Sequence, residues 1–291
     1  MFTATLIADP KEANLDQATL DALCGAWGGG DARWLNPNVA AEFSVEEVPS
    51  NAAQSWEGLQ GLGVDLVVQP REGRRKKMLV ADMDSTMIQQ ECIDELADVA
   101  GVGERVKEIT ARAMNGELDF EGALTERVGL LKGLREEVIG QVIAERITFM
   151  PGGHDLVATM KANGAYCVLV SGGFTAFTGY VAEALGFDEN RANRLLIEDG
   201  KLVGIPAQPI LGREAKVQAL LEISERLKLD HAEVMAVGDG ANDLGMLHLA
   251  GAGVALHAKP AVAAQCDIRI NYGDLSALLY IQGYSVEEFA S

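Results

Sequence analysis

Residues 77–83 form an apolar run without the alternation of a half-exposed strand, and the run passes directly into Asp82-Met83-Asp84-Ser85-Thr86. A strand with no polar face is buried on both sides, which places it inside a parallel sheet covered by helices. The pattern after Pro151 fits that sheet. Helical periods at 154–163, 175–185, 213–227, 243–249, 260–264 and 275–280 alternate with apolar strands at 165–170, 234–237, 253–256 and 267–270. Asp199-Gly200 signals a hairpin between short strands at 195–197 and 201–204. The alternation predicts an α/β fold, a doubly wound parallel sheet with helices on both faces.

Between 88 and 148 the period is helical throughout. Ile88, Cys92, Leu96 and Val99 share one face, and three further amphipathic stretches follow. They predict a four-helix insertion just after the first strand of the sheet. Residues 1–75 carry a different pattern, β-α-β-β-α-β, which predicts a small α+β module of ferredoxin-like fold. The basic, polar residues 71–77 read as a linker. The expected organisation is an N-terminal module over 1–75, a core over 76–87 and 149–291, and a helical insertion over 88–148.

Ligands of an open parallel sheet sit beyond the carboxyl ends of its strands. Polar residues stand at those ends here. Asp82 and Asp84 follow one strand, Ser171-Gly172-Gly173 a second, and Gly238-Asp239-Gly240-Ala241-Asn242-Asp243 a third, while Lys216 lies in the first turns of a helix. Two carboxylates two residues apart repel unless a cation lies between them. Magnesium, which prefers hard oxygen ligands, suits them, with Asp239 and Asp243 completing the site. One Asp of the pair can then be a nucleophile and the other a proton donor and acceptor. Ser171 and the N–H groups of Gly172 and Gly173 suit phosphate oxygens, and Lys216 the charge of a transferred phosphoryl group. Each feature has a plainer reading alone: an Asp caps helices, Gly-Gly makes turns, and a single Lys is usually solvated.

The formal charge of −19 argues against a nucleic-acid groove or an anionic membrane surface as partner. No stretch approaches roughly 18 apolar residues, so no membrane span is expected. The four cysteines, at Cys24, Cys92, Cys167 and Cys266, form no CxxC pair, and they read as free thiols of a reducing cytoplasm.

Asp82–Thr86 matches DxDxT, and with Ser171-Gly172-Gly173, Lys216 and GDGAND at 238–243 the chain resembles the haloacid dehalogenase superfamily, whose four motifs occur in that order. The strings DMDSTMIQQECIDELA at 82–97, MNGELDFEGALTERVGLLKGL at 114–134, VSGGF at 170–174 and ANRL at 192–195 are similar to the phosphoserine phosphatase family within it. The resemblance implies a magnesium-dependent phosphomonoester hydrolase acting on O-phospho-L-serine in serine biosynthesis. Its phosphoaspartate would form on Asp82, with Asp84 as general acid and base and Lys216 assisting. The metal would be held by Asp82, the Asp84 backbone carbonyl and Asp239, with Asp243 behind them. Glu91 would meet the substrate amino group and Arg127 its carboxylate. Ser171, Gly172, Lys216 and Asn242 would complete the binding set, and Phe120 and Met114 the cap side. From the residues alone, Glu95 and Arg112 are plausible rivals to Glu91 and Arg127.

The N-terminal pattern resembles the ACT-like modules attached to some longer phosphoserine phosphatases, which implies a regulatory role or pairing into a homodimer. Three other functions remain open at this point: phosphoryl transfer to another hydroxyl such as homoserine, hydrolysis of another small phosphomonoester, and amino-acid sensing without catalysis.

Overall fold

The computed structural model of the protein describes residues 1–114 and 117–290. The chain divides into two compact units, Met1–Val80 with Pro151–Cys167 and Ile223–Ser291, and Ala81–Met150 with Val168–Glu222.

The first unit opens with β1 (Phe2–Ala8), α1 (Gln17–Ala26), β2 (Gly30–Asn36), β3 (Ala40–Val45), α2 (Ala52–Gln60) and β4 (Val64–Pro70). The strands form an antiparallel sheet in the order β2-β3-β1-β4. The Asp16 carboxylate starts α1 by accepting from Thr19 N at 2.7 Å, satisfying one of the N–H groups that a helix start leaves open. Leu6, Leu20, Phe43 and Leu59 pack into the core of this sheet.

β1 is buried from Thr3 to Ala8, on both faces of the sheet. Helix α12 (Ala277–Ile281) packs on β1 and β3 and is itself wholly buried. Polar groups fasten the same contact. Asn36 Nδ2 donates to Tyr280 Oη at 2.8 Å. The Asp65 carboxylate accepts from Asn271 N at 3.0 Å and from Tyr272 N and Gly273 N at 2.9 Å each. Residues 71–77, expected as a linker, are bound down instead. Arg74 pairs with Glu42, Arg75 with Glu288 and Lys77 with Glu233. Composition marked this stretch as solvated, but each of these cations meets a carboxylate distant in sequence.

The main sheet has the order β12-β11-β10-β5-β6-β7. Its strands are β5 (Met78–Ala81), β6 (Tyr166–Phe174), β7 (Glu189–Asn193), β10 (Val234–Gly238), β11 (Ala252–Leu256) and β12 (Ile268–Ile270). β10, β11 and β12 run parallel, as do β6 and β7. Helices α7 (Gly153–Ala162), α8 (Thr175–Leu185), α9 (Arg213–Leu227), α10 (Leu244–Leu249) and α11 (Pro260–Ala263) alternate with the strands. β7 was not foreseen. Its sequence, ENRAN, has no apolar run, because a strand at the sheet edge need not be buried on both faces.

The second unit carries the helical insertion: α3 (Cys92–Val99), α4 (Gly103–Met114), α5 (Phe120–Leu130) and α6 (Glu137–Arg146). The helical reading from Ile88 is corrected here, since α3 begins only at Cys92. Ser85 takes a left-handed conformation, φ 55°, and the N–H groups of Thr86, Met87 and Ile88 all turn back to Met83 O. Ile88 then pairs with Phe149 as an isolated bridge, so the two ends of the insertion are joined. Hairpin β8 (Leu195–Glu198) and β9 (Lys201–Pro206) belongs to this unit and bonds to the α5–α6 connection, with Leu202 N donating to Leu134 O.

Candidate active site

Asp82 stands just past the end of β5, and only 5% of it is exposed. Its Oδ1 accepts from Met83 N at 2.8 Å and is ion-paired to Lys216 Nζ at 2.6 Å. Lys216 is itself 2% exposed, in the first turns of α9. A lysine that deep is costly unless its charge is paired. The buried Asp82 carboxylate supplies that pairing.

Asp84 is partly exposed as a residue, but its carboxyl group points inward. Oδ1 accepts from Cys92 N at 3.1 Å, at the start of α3. A Cβ on Gly173 would stand 2.8 Å from Oδ2, so only glycine leaves room there. Burial, then the negative charge of Glu91, push the Asp84 carboxyl up to about 7. Two carboxylates two residues apart therefore stand in opposite settings, one beside an ammonium group and one beside another carboxylate. Such a difference in setting is what lets two like groups take different parts in proton and nucleophile chemistry.

Glu91 Oε1 accepts from Ser85 Oγ at 2.8 Å. This contact depends on the left-handed turn at Ser85, and no motif in the sequence announces it. Arg127, half-buried on α5, donates from Nε to Ala123 O at 3.2 Å. Burial lowers its pKa against the pull of Asp94, Glu91 and Asp84, the carboxylates that surround it. The rivals are engaged elsewhere. Glu95 pairs with Arg146 at 2.9 Å, and Arg112 with Glu126 at 3.0 Å.

Ser171 is 2% exposed, and its Oγ accepts from Gly173 N at 2.8 Å, which closes the turn. Between Val170 and Phe174 the ladder to β7 slips, so this turn bulges from the strand. The Phe120 ring, first residue of α5, packs against it: a Cβ on Gly172 would meet the ring at 3.1 Å. The same ring would meet a Cβ on Gly212 at 3.2 Å. The helical insertion thus rests on the turn. The Met114 side chain lies outside the described residues.

In the other unit, Asp239 follows β10, which neighbours β5 in the sheet. Asp243 is fully buried, and its Oδ2 accepts from Gly240 N at 2.9 Å. A Cβ on Gly238 would lie 2.5 Å from the same oxygen, which accounts for the glycine. Asp239 and Asp243 offer carboxylate oxygens within 4.8 Å of one another. Asn242 stands between them, partly exposed. A paired set of hard oxygen donors on one short turn suits a divalent cation.

Residues 79–248 match the family model of the haloacid dehalogenase-like hydrolases. The chain is 46% identical over 202 residues to a phosphoserine phosphatase of Haemophilus influenzae, a match that covers 69% of this chain and 64% of that protein. It therefore spans less than two thirds of that relative's length. A solved phosphoserine phosphatase carrying an analogue of its phospho-aspartyl intermediate is 41% identical, with a TM-score of 0.66 over 70% of this chain and 98% of that one. A haloacid dehalogenase family hydrolase of Salmonella enterica serovar Typhi is 28% identical, with a TM-score of 0.85 over 97% and 98% of the two chains. That last likeness takes in the N-terminal sheet as well.

Proposed function

The chain belongs to the haloacid dehalogenase-like hydrolases, alongside their phosphoserine phosphatases, and on that premise we propose that it hydrolyses O-phospho-L-serine to serine and phosphate. One observation carries the reading: Asp82 is ion-paired to Lys216, while Asp84, two residues on, is held protonatable up to about 7. An Asp82 carboxylate oxygen attacks phosphorus, and the bond from phosphorus to the serine oxygen breaks. Asp84 gives its proton to that oxygen, and serine leaves. Asp84 then takes a proton from water as the water attacks phosphorus, which frees phosphate and restores Asp82. Ser171 Oγ and the Gly172 N–H would hold the phosphoryl oxygens, with Lys216 neutralising their charge.

The residues fit a divalent cation. Asp82, the Asp84 backbone carbonyl and Asp239 would hold Mg2+, with Asp243 fixing the turn behind them and Asn242 beside the substrate. A bound cation lowers the repulsion between anionic substrate and carboxylates. Glu91 and Arg127 supply opposite charges of the kind that an amino-acid zwitterion requires.

The N-terminal module, an antiparallel sheet of order β2-β3-β1-β4 with two helices, resembles ACT-like domains, and we assign it a regulatory or pairing role. Its sheet face is packed by α12, so pairing into a homodimer would use the outer strand β2. Among the described residues no helix is long and apolar enough to cross a membrane, and all four cysteines are free thiols, as a cytoplasmic enzyme would have them.

Phosphate release from O-phospho-L-serine, with and without magnesium, tests the reading. Phosphothreonine, phosphoethanolamine, glycerol phosphate and a sugar phosphate serve as controls. Metal-dependent turnover strongest on phosphoserine is expected. Turnover strongest on another member would remove the zwitterion pocket, and turnover on none would sink the hydrolase.

A further inference from the structure

The bulge that lifts Ser171-Gly172-Gly173 out of the β6–β7 ladder has a structural cost. Val170 pairs with Arg191 and Phe174 with Asn193, so the residues between them lose their partners on β7. The Gly172 carbonyl is one group so released, and a buried carbonyl needs a donor. Asn193, the last residue of β7 and 2% exposed, supplies it: Nδ2 donates to Gly172 O at 2.8 Å. The same amide reaches in a second direction. Nδ2 also donates to Leu211 O at 3.1 Å, and Oδ1 accepts from Leu211 N at 2.7 Å. Leu211 and Gly212 lead into α9, whose fourth residue is Lys216. One buried side chain therefore ties the turn that carries Ser171 to the start of the helix that carries Lys216. The two glycines flanking this clamp, Gly172 and Gly212, are the surfaces against which the Phe120 ring rests.

We propose that Asn193 is a positioning residue for phosphoryl transfer. It sets the orientation of the Gly172–Gly173 peptide, whose N–H donates to Ser171 Oγ, and hence the place of the Ser171 hydroxyl relative to Lys216. It touches none of the reacting atoms. An amide suits the place, because the side chain faces two carbonyl oxygens and one N–H at once, and a planar amide carries two N–H donors beside an acceptor oxygen. Asp in the same shape would keep the bond from Leu211 N and set a carboxylate against both carbonyls.

The inference rests on the proposed phosphatase reading, and its test separates the two. Wild type, Asn193→Ala and Asn193→Asp are compared with magnesium for kcat and KM on O-phospho-L-serine and for thermal midpoint. In the folded variants kcat is expected to fall by about tenfold to a hundredfold, as small misplacements at a reacting centre do. KM should stay within about threefold of wild type, since the amino-acid end is bound by other residues. Asn193→Asp is expected to be no better than Asn193→Ala. A folded Asn193→Ala with kcat within about twofold of wild type overturns the proposal, and so does failure of both variants to fold, which would make the residue structural only. If wild type itself does not turn over phosphoserine, the phosphatase reading fails. The variants are then compared by calorimetry for binding of inorganic phosphate, where weakened binding supports the clamp and unchanged binding overturns it.

Discussion

Asp65 and Asp84 are carboxylates withdrawn from water, one in each compact unit, and burial pushes both above the ordinary carboxyl value. Their partners differ. Asp65 is answered by three backbone N–H groups and by Gln60 Nε2 at 3.3 Å. Asp84 has the Cys92 N–H on one oxygen and the negative charge of Glu91 nearby. A buried carboxylate surrounded by donors is a fastening, here between β4 and residues 271–273. One set beside a like charge keeps its proton within reach of neutral pH and can do chemistry. Burial alone does not separate these roles; the donor count and the sign of the nearest charge do.

The largest expected effect breaks this comparison on the catalytic side. Asp82→Asn and Asp84→Asn should each lower kcat for phosphoserine by about a thousandfold or more, the scale of losing a nucleophile or a general acid. Their thermal midpoints should stay within a few degrees of wild type. Either variant with activity within tenfold of wild type would leave the acid and nucleophile assignment without support. On the other side, Asp65→Ala should leave three N–H groups, one of them buried, without their carboxylate and cost roughly 2 kcal/mol in urea unfolding. The folded fraction should keep its kcat. Loss of turnover without loss of stability would turn Asp65 into a functional group.

Legibility followed how locally a feature is encoded. Asp82, Asp84, Asp239 and Asp243 lie at strand ends within short polar strings, so spacing alone placed them at the carboxyl edge of a parallel sheet. The order of the N-terminal elements was legible because short apolar runs alternate with helical periods and Gly28-Gly29-Gly30 ends the first helix. Three things were not. Strand β7 lies at an edge, where ENRAN needs no apolar alternation. The turn after Asp84 hides behind apolar residues, Met87 and Ile88, that continue a helical pattern, yet Ser85 at φ 55° reverses the chain. Glu91, the extended residue before α3, and Arg127, on α5, lie in charge-rich stretches where the period cannot say which charged residue turns inward. Glu95 and Arg112 are held in tertiary ion pairs that span 51 and 14 residues, which no local period encodes.

A smaller effect sharpens the placing of Arg127. A guanidinium that meets the substrate carboxylate should matter only for substrates having one. Arg127→Ala is expected to raise KM for phosphoserine by about tenfold, the worth of one charge-assisted contact, and to leave phosphoethanolamine within about twofold. Equal losses on both substrates would assign Arg127 to the structure of the insertion instead.

The smallest effect returns to the N-terminal sheet, where Glu42 on β3 is shifted in the direction opposite to Asp65. Burial would raise the Glu42 carboxyl, but the guanidinium groups of Arg74 and Arg33 outweigh it and hold the group below its ordinary 4.5. Arg33 Nη2 lies 2.7 Å from Glu42 Oε1. A lowered folded value means that Glu42 contributes fully above pH 4.5 and that its contribution is lost as pH falls through the folded value. Asp65, raised above 3.8, has the reverse sign: its ionisation weakens the fold as pH climbs past 3.8. Glu42→Gln should therefore cost about 1–2 kcal/mol in urea unfolding at neutral pH, and that cost should shrink toward about pH 3. The wild type would lose its advantage as the carboxylate takes up its proton, while the glutamine variant, which has nothing to titrate there, would change less. A cost that stays constant from neutral pH to about pH 3 would mean that Glu42 holds residues 71–77 by shape rather than by charge.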